Sequence, residues 1–394
     1  MTNFTSNRLN SSAQKQCTDL PSGQNILLGA TIKKRFPLTK KNSSKQTWHI
    51  TLDLTGIDLE YHPGDSVAIF PQNDPILVDH LIEAMHASKD TIITHKRSGK
   101  QMPLHFFLIY HANLSRITSS FLKLIHECED CPDKKSYIET LLSDKPSLRS
   151  FLAENDPIFL LRDYSKTTLP LQELCDQFGP MLPRFYSVAS SKSVNKDSLD
   201  LTVALFTWMQ KCEKRYGVAS HFLCHLAEIG ETPIPLYVQP AKHFRLPESR
   251  DTDIIMIGPG TGIAPFRAFI QERANLGASG KNWLFFGHRN RDSDYFYEDE
   301  WKSYPNLRID TAFSRDQKEK VYVQHKLLEK GEKIYAWLQN GAHLYLCGDA
   351  KEMAKDVEKT LRQIIATHGN LDAEEAKSHL KTLKKEGCFL LDIY

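Results

Sequence analysis

The sequence predicts a multidomain chain: a β region interrupted by a block of helices, followed by an α/β unit with a doubly wound parallel sheet. Three observations predict it. Residues 26–71 alternate apolar and polar side chains at strand spacing, residues 73–176 change to helical spacing, and from about residue 252 apolar strands alternate with helical segments.

In chain order, Trp48-His49-Ile50-Thr51-Leu52-Asp53-Leu54 reads as a strand, and His62-Pro63-Gly64-Asp65 as a turn. Residues 77–86, 115–127 and 136–142 repeat apolar side chains as helices do. Strand patterns return at 184–190, 199–206 and 235–239, punctuated by prolines. In the last third, strands are expected at 253–257, 282–286, 307–313 and 342–347, with the clearest helix over 351–368. Such alternation puts the ligand edge at the carboxyl ends of the strands, where Gly258-Pro259-Gly260-Thr261-Gly262, Arg315 and Cys347-Gly348-Asp349 all fall.

The glycine segment follows the apolar strand Asp253-Ile254-Ile255-Met256-Ile257 and opens a helix near Pro265. Glycines admit a diphosphate, and a helix start offers unpaired N–H groups. The spacing is G-x-G-x-G, with Ile263 where a dinucleotide fingerprint has its third glycine, and an ordinary glycine-rich turn would use the same residues. Downstream, Ser314 and Arg315 end a strand, with Lys320 and Tyr322 just beyond. An arginine fork suits a 2′-phosphate and a tyrosine face an adenine, which favours NADP over NAD; a solvated charged loop is the alternative.

Two further segments lie in the β region. In Arg184-Phe185-Tyr186-Ser187 an arginine can pair with a diphosphate, a tyrosine can lie on a flat ring, and a serine can reach a ring nitrogen. Gly217-Val218-Ala219-Ser220 can begin a phosphate-receiving helix. Each in isolation also reads as plain strand or turn.

Composition bounds the rest. The 394 residues are 41% apolar and 25% charged with a net charge of +2, which gives no reason to expect nucleic acid or an acidic membrane surface. No run approaches the roughly 18 apolar residues of a membrane span, and the polar start resembles no signal peptide. Eight scattered cysteines speak against a disulfide framework and for a reducing cytoplasm. Cys128 and Cys131 form one C-x-x-C beside His126, but a zinc site needs four ligands, so no metal is expected.

With these segments in this order, the chain resembles the diflavin reductases, among them the flavoprotein component of NADPH sulfite reductase, and more broadly the ferredoxin-NADP reductases. The resemblance runs from about residue 25 to Tyr394 and is most specific over 255–269, 281–287, 314–324 and 341–358. It implies an antiparallel FAD-binding β-barrel over 25–72 and 177–248, a helical connecting insertion over 73–176, and an NADP-binding domain over 249–394. Residues 1–24 would be a polar tail or linker remnant.

The resemblance also assigns residues. For FAD it implies Arg184, Phe185, Tyr186 and Ser187, the strand residues Thr202, Val203 and Ala204, and the helix start Gly217, Val218, Ala219 and Ser220; Trp208 and His111 fall near further FAD contacts. For NADP it implies Gly260, Thr261 and Gly262 at the diphosphate, Ser314, Arg315, Lys320, Val321, Tyr322, Val323 and Gln324 at the adenosine end, and Asp356, with Arg289 as an extra phosphate ligand. Where nicotinamide would meet flavin, it implies Ser187 as a hydrogen-bond donor, Cys347 as a packing group, Asp392 as a carboxylate and Tyr394 as a ring covering the flavin.

The implied activity is that of an NADPH-dependent oxidoreductase with FAD, passing electrons to a separate protein. Members of the family carry an FMN-binding module ahead of the matched region, and residues 1–24 are too short to hold one. The acceptor is therefore expected to be a flavodoxin-like FMN protein, a ferredoxin or a sulfite reductase haemoprotein. The competing readings are a ferredoxin- or flavodoxin-NADP reductase unrelated to sulfite, and a non-catalytic interaction protein that keeps the fold.

Overall fold

The computed structural model of the chain describes residues 28–394, so the tail expected over 1–24 lies outside the described residues. The β region consists of β1 (Leu28–Pro37), β2 (Thr47–Asp53), β3 (Ser66–Ile69), β4 (Arg184–Ser187), β5 (Ser198–Ala204), the hairpin β6 (Thr207–Gln210) and β7 (Glu213–Tyr216), and β8 (Ile234–Gln239). Six of these form one sheet in the order β4-β3-β8-β1-β2-β5, every pair antiparallel. Its two edges meet where Val188 bridges Leu201 and the Ala189 amide donates to the Asp200 carbonyl at 2.8 Å. The sheet is thereby closed into a barrel, leaving no long free edge. Inward-facing Ile32, Ile50, Leu52, Val67, Leu201 and Leu236 fill it.

Between β3 and β4 the chain leaves the barrel and forms seven helices, Pro75–Ala84, Leu104–Tyr110, Ser119–Cys128, Pro132–Ser143, Lys145–Glu154, Pro157–Asp163 and Leu171–Cys175. They share a core of their own around Leu81, Leu108, Phe121, Ile125 and Leu160. Apolar spacing locates the first, third and fourth of them. Two others begin at a proline in the first turn, capped by Asp144 and Asp156, so prolines that look like breaks are starts.

The last third holds β9 (Ile254–Ile257), β10 (Asn282–His288), β11 (Leu307–Phe313), β12 (His343–Gly348) and β13 (Phe389–Ile393). They form a parallel sheet in the order β11-β10-β9-β12-β13. The order reverses beside β9, which is the switch point where such sheets open a crevice. Successive side chains serve two cores. Ile255, Ile257, Trp283 and Leu344 pack under one set of helices, while Ile254, Met256, Leu284 and Tyr345 pack with helix Ala264–Asn275 on the other face. The expected helix over 351–368 is Met353–Gly369, and the Asp372-capped helix Ala373–Lys385 feeds the fifth strand.

A tight turn joins barrel to sheet. Gly64 has φ +97°, and a Cβ there would stand 2.0 Å from the Phe244 carbonyl oxygen. The next residue, buried Asp65, accepts the His62 and Ala241 amides at 2.8 Å each and pairs with Arg245. Among the described residues no helix is long and apolar enough to cross a membrane, and no three His, Cys, Asp or Glu side chains are grouped to hold a metal. Cys128 and Cys131 are free thiols, and His126 pairs with Glu139 at 2.9 Å.

Gly64→Ala combines a left-handed φ with a direct clash, and is expected to cost about 1–3 kcal/mol or more. Thermal unfolding should show a midpoint lowered by several degrees; an unchanged midpoint would contradict the tight junction.

Candidate functional site

The carboxyl end of β9 passes through Gly258-Pro259 into a 3-10 turn, Gly260–Ile263, and then helix Ala264–Asn275. The three glycines serve different ends. Gly260, at φ +59°, makes the turn, and a Cβ there would meet only the edge of the His288 ring at 4.0 Å. A Cβ on Gly258 would strike the Gly262 carbonyl oxygen at 2.5 Å, and one on Gly262 the Cys347 carbonyl oxygen at 2.2 Å. So Gly262 lets the loop close against the end of β12, an approach of protein to protein where the sequence suggests approach of a ligand. Ile263 is fully buried core, which is why the fingerprint's third glycine has no place there.

Beside this loop lies a cleft of about 620 Å³, lined by Gly260, Arg289, Ser314, Arg315, Lys320, Tyr322, Val323, Gln324 and Asp356. All nine were singled out from the sequence. Val323 reaches the cleft from a buried position, while Val321 packs at the edge of the core beneath. Gln324 donates to Asp356 at 3.3 Å, and the Arg289 guanidinium donates to Ser44 at 2.6 Å.

Lys45, on the loop between β1 and β2, also lines the cleft. Its pKa is lowered by burial and by the positive fields of Arg289 and Arg315; Arg289 is lowered by burial and by Arg315. Three cations from two units thus crowd each other, as a site built to receive an anion requires. Nothing in the sequence marks Lys45, one of several lysines in a polar loop.

A second meeting point joins barrel to sheet. Ser187, at the end of β4, donates to Asp392 at 3.0 Å, and the Cys347 thiol donates to the same carboxylate oxygen at 3.5 Å. Strand register brings this about, since Cys347 pairs with Asp392 across β12 and β13. The terminal Tyr394 lies over the glycine loop, its hydroxyl 2.8 Å from that of Thr261, with its amide donating to the Gly348 carbonyl at 3.1 Å. The residue as a whole is 63% exposed, while burial around its hydroxyl raises the phenol above its ordinary pKa. Burial foremost, then Asp392, pushes the Cys347 thiol well above its ordinary pKa.

The remaining residues divide. Arg184 is exposed, Tyr186 half-buried at the barrel rim, and Phe185 points away from the barrel core with its ring edge on Tyr237. Gly217 precedes the short helix Val218–His221, in which Ala219 is buried, and the Ser220 hydroxyl is taken up between the Phe206 amide and the Gly217 carbonyl. Trp208 and Val218 line a pocket of about 220 Å³ between the β6-β7 hairpin and the helical insertion, with Asn73, Arg215, Tyr216 and His221. The Asn73 amide oxygen and one Arg215 nitrogen there are buried without a hydrogen-bond partner.

The Thr202 hydroxyl is engaged by Tyr297 at 2.7 Å and Val203 is core, so of that strand Ala204 alone is exposed, and contacts there fall to the backbone. His111 caps helix Leu104–Tyr110 and faces a different cavity, beside His95, so it is not brought to Trp208.

Comparison with known proteins agrees with this geometry. The FAD binding domain family matches residues 22–222. The chain belongs to that family. The oxidoreductase NAD-binding domain matches residues 256–359 of this FAD binding domain protein, which covers the glycine loop and every named cleft residue but Lys45. Among curated proteins, the sulfite reductase [NADPH] flavoprotein alpha-component of Klebsiella pneumoniae is 40% identical over 372 residues, 93% of this chain and 61% of that protein. The Bacillus subtilis protein of the same name is 37% identical over 369 residues, 93% of this chain and 60% of its own length. The chain thus spans about three-fifths of the length of these relatives.

The thiolate is the reactive form of cysteine. Burial raises Cys175 and Cys224 to about 12 and Cys347 well above its ordinary value, whereas Cys212 is exposed at a hairpin tip. Iodoacetamide at pH 8 should therefore modify Cys212 and spare Cys175, Cys224 and Cys347 until the protein is unfolded. Mass spectrometry of the peptides checks this, and early labelling of Cys347 would show that its site is open.

Proposed function

We propose that this chain is the catalytic part of an NADPH-dependent flavoprotein reductase, taking FAD on the barrel and NADPH on the parallel sheet, and serving a separate electron-accepting protein. The observation that carries the reading is the contact of Ser187 on the barrel with Asp392 on the sheet, whose same carboxylate oxygen also accepts from the Cys347 thiol. When bound, flavin and nicotinamide supply the hydride chemistry; the protein supplies position and charge. On this reading residues 25–72 and 177–248 form the FAD domain, 73–176 the connecting insertion and 249–394 the NADP domain.

Each side chain then has a task. Arg184 and the Gly217-Val218-Ala219-Ser220 backbone hold the FAD diphosphate, Tyr186 bears on the ring system, and Trp208 with Val218 receives the adenine end. The Ser187 hydroxyl, held by Asp392, is a donor at the reacting edge. Asp392 places a carboxylate where positive charge develops on a pyridine ring, and Cys347, protonated throughout the working range, packs without adding charge. Tyr394 covers the flavin side of the cleft and must move aside for the nicotinamide. Gly260, Thr261 and Gly262 take the NADP diphosphate; Ser314, Arg315 and Lys320 take the 2′-phosphate, with Lys45 and Arg289 adding charge, and Tyr322 faces the adenine.

The relatives are named as sulfite reductase components, which supports sulfite reduction as the pathway served, with a flavodoxin-like FMN protein, a ferredoxin or the sulfite reductase haemoprotein as the acceptor. Free thiols support a reducing cytoplasm as the setting. Purified protein should be yellow, and rapid mixing with NADPH should bleach the visible absorbance of its bound flavin. Colourless protein that takes up no FAD would overturn the reading. Adding a flavodoxin or the haemoprotein then identifies the acceptor by return of colour.

Removing one charge-assisted contact to the 2′-phosphate costs about 1.5–3 kcal/mol, or roughly ten- to 150-fold in specificity. Arg315→Ala should lower kcat/KM for NADPH by that factor and leave NADH little changed. Lys45→Ala should act in the same direction. Equal losses with both nucleotides would remove the 2′-phosphate from this cluster.

A further inference from the structure

We infer that Arg267 is a positioning residue for hydride transfer: a buried cation shared by barrel and sheet that fixes the angle at which the two nucleotide sites face each other. The inference rests on the proposed reductase function and adds a residue that touches neither nucleotide.

Arg267 stands on helix Ala264–Asn275, which begins directly after the glycine loop, and is 8% exposed. One nitrogen donates to the Ala189 carbonyl at 2.7 Å and to Asp200 at 2.8 Å, both on the barrel. Another donates to Glu300 at 2.8 Å on the sheet side, and the guanidinium lies 4.9 Å from the centre of the Tyr297 ring. Asp200 accepts a further bond from Thr51 at 2.6 Å and has His49 at 3.4 Å. The Tyr297 hydroxyl meets Thr202 at 2.7 Å and His49 at 3.2 Å.

Two features separate this cluster from ordinary interface packing. First, Tyr297 sits at φ +58°, a left-handed conformation that a bulky residue adopts only when its surroundings hold it there. Second, the cation is satisfied by carboxylates on opposite sides of the boundary. If the units slide, a buried charge loses its partner, so the arrangement specifies one register. Burial opposes the charge on Arg267, yet Tyr297, Glu300 and Asp200 together hold it protonated.

The connection to chemistry is short. Ala189, which accepts from Arg267, lies two residues after Ser187, which donates to Asp392. The segment carrying the reacting-edge hydroxyl is therefore pinned to the sheet at both ends. Gln271, one turn further along the helix, repeats the tie by accepting the Ser191 amide at 3.0 Å. A displacement of about 1 Å between reacting groups can cost on the order of 100-fold in rate.

The test uses the flavin-loaded chain. Arg267→Met should lower the NADPH-to-flavin transfer rate at saturating NADPH at least tenfold and raise the isotope effect with 4-deuterated NADPH. FAD content and affinity for 2′,5′-ADP, which occupies the cationic cleft and does not reach the reacting edge, should stay within twofold. Arg267→Lys should recover part of the rate, and Arg267→Met with Asp200→Asn should be less impaired than Arg267→Met alone. If Arg267→Met fails to fold, Tyr297→Phe, which keeps the ring and loses the hydroxyl ties, should show a smaller rate loss of the same kind. A folded Arg267→Met, or Tyr297→Phe in its place, with wild-type transfer, or with losses that track FAD content or 2′,5′-ADP affinity, overturns the inference. If the wild type itself is not reduced by NADPH, the reductase reading falls instead, and the inference with it.

Discussion

A parallel sheet that binds nucleotides at its carboxyl end must keep that end open to the ligand and yet closed to disorder. Here the barrel supplies the cover. The junction is polar where it matters, through Ser187 to Asp392, Thr202 to Tyr297, Ser191 to Gln271 and the shared cation Arg267. Apolar surfaces slide with little penalty, whereas hydrogen bonds fail beyond a few tenths of an ångström and buried ones are costly to leave unmade. A polar junction therefore trades some stability for a defined angle, and an angle is what two facing nucleotide sites require.

The same logic explains the cations of the cleft. Lys45 comes from a barrel loop, Arg289 and Arg315 from the edge of the sheet, and the hydrogen bond from Arg289 to Ser44 ties the two sources together. Three positive charges this close repel, so the cleft is held in readiness by packing and by the loop contact. An anion entering it would relieve that repulsion. The barrel therefore contributes both to this cleft, through Lys45 and Ser44, and to the Ser187–Asp392 contact.

Much of this was legible in the sequence because the relevant signals are local. The apolar runs of β9 to β12 can be read directly, since strands buried on both faces admit few polar residues, and the glycine loop announces the turn. What escaped is long-range. Lys45 becomes meaningful only when a barrel loop folds over the sheet, and Arg267 sits inside an otherwise apolar helical stretch where its partners are 67 residues earlier and 33 later. The resemblance sets Thr202, Val203 and Ala204 along the flavin as a strand, but strand alternation does not say which neighbour covers a face, and Tyr297 takes up the Thr202 hydroxyl. Helix Pro157–Asp163 was hidden by a proline that starts it.

That hidden helix shows what the insertion does for the barrel. The β6-β7 hairpin turns through Lys211 and Cys212, both at positive φ, a conformation disfavoured for side chains other than glycine, asparagine and aspartate. A free hairpin with such a turn would be marginal. It is braced instead: Arg215 bonds Asp156 at the start of the helix at 2.7 Å and lies over the Phe159 ring, while Lys211 pairs with Asp163 at its end. The brace reaches both ends of one short helix, so the hairpin can neither twist nor lift without breaking an ion pair. Because the hairpin carries Trp208 toward the pocket it shares with Val218, the helical insertion acts on the barrel as a clamp, holding one wall of that pocket at a fixed distance from the other.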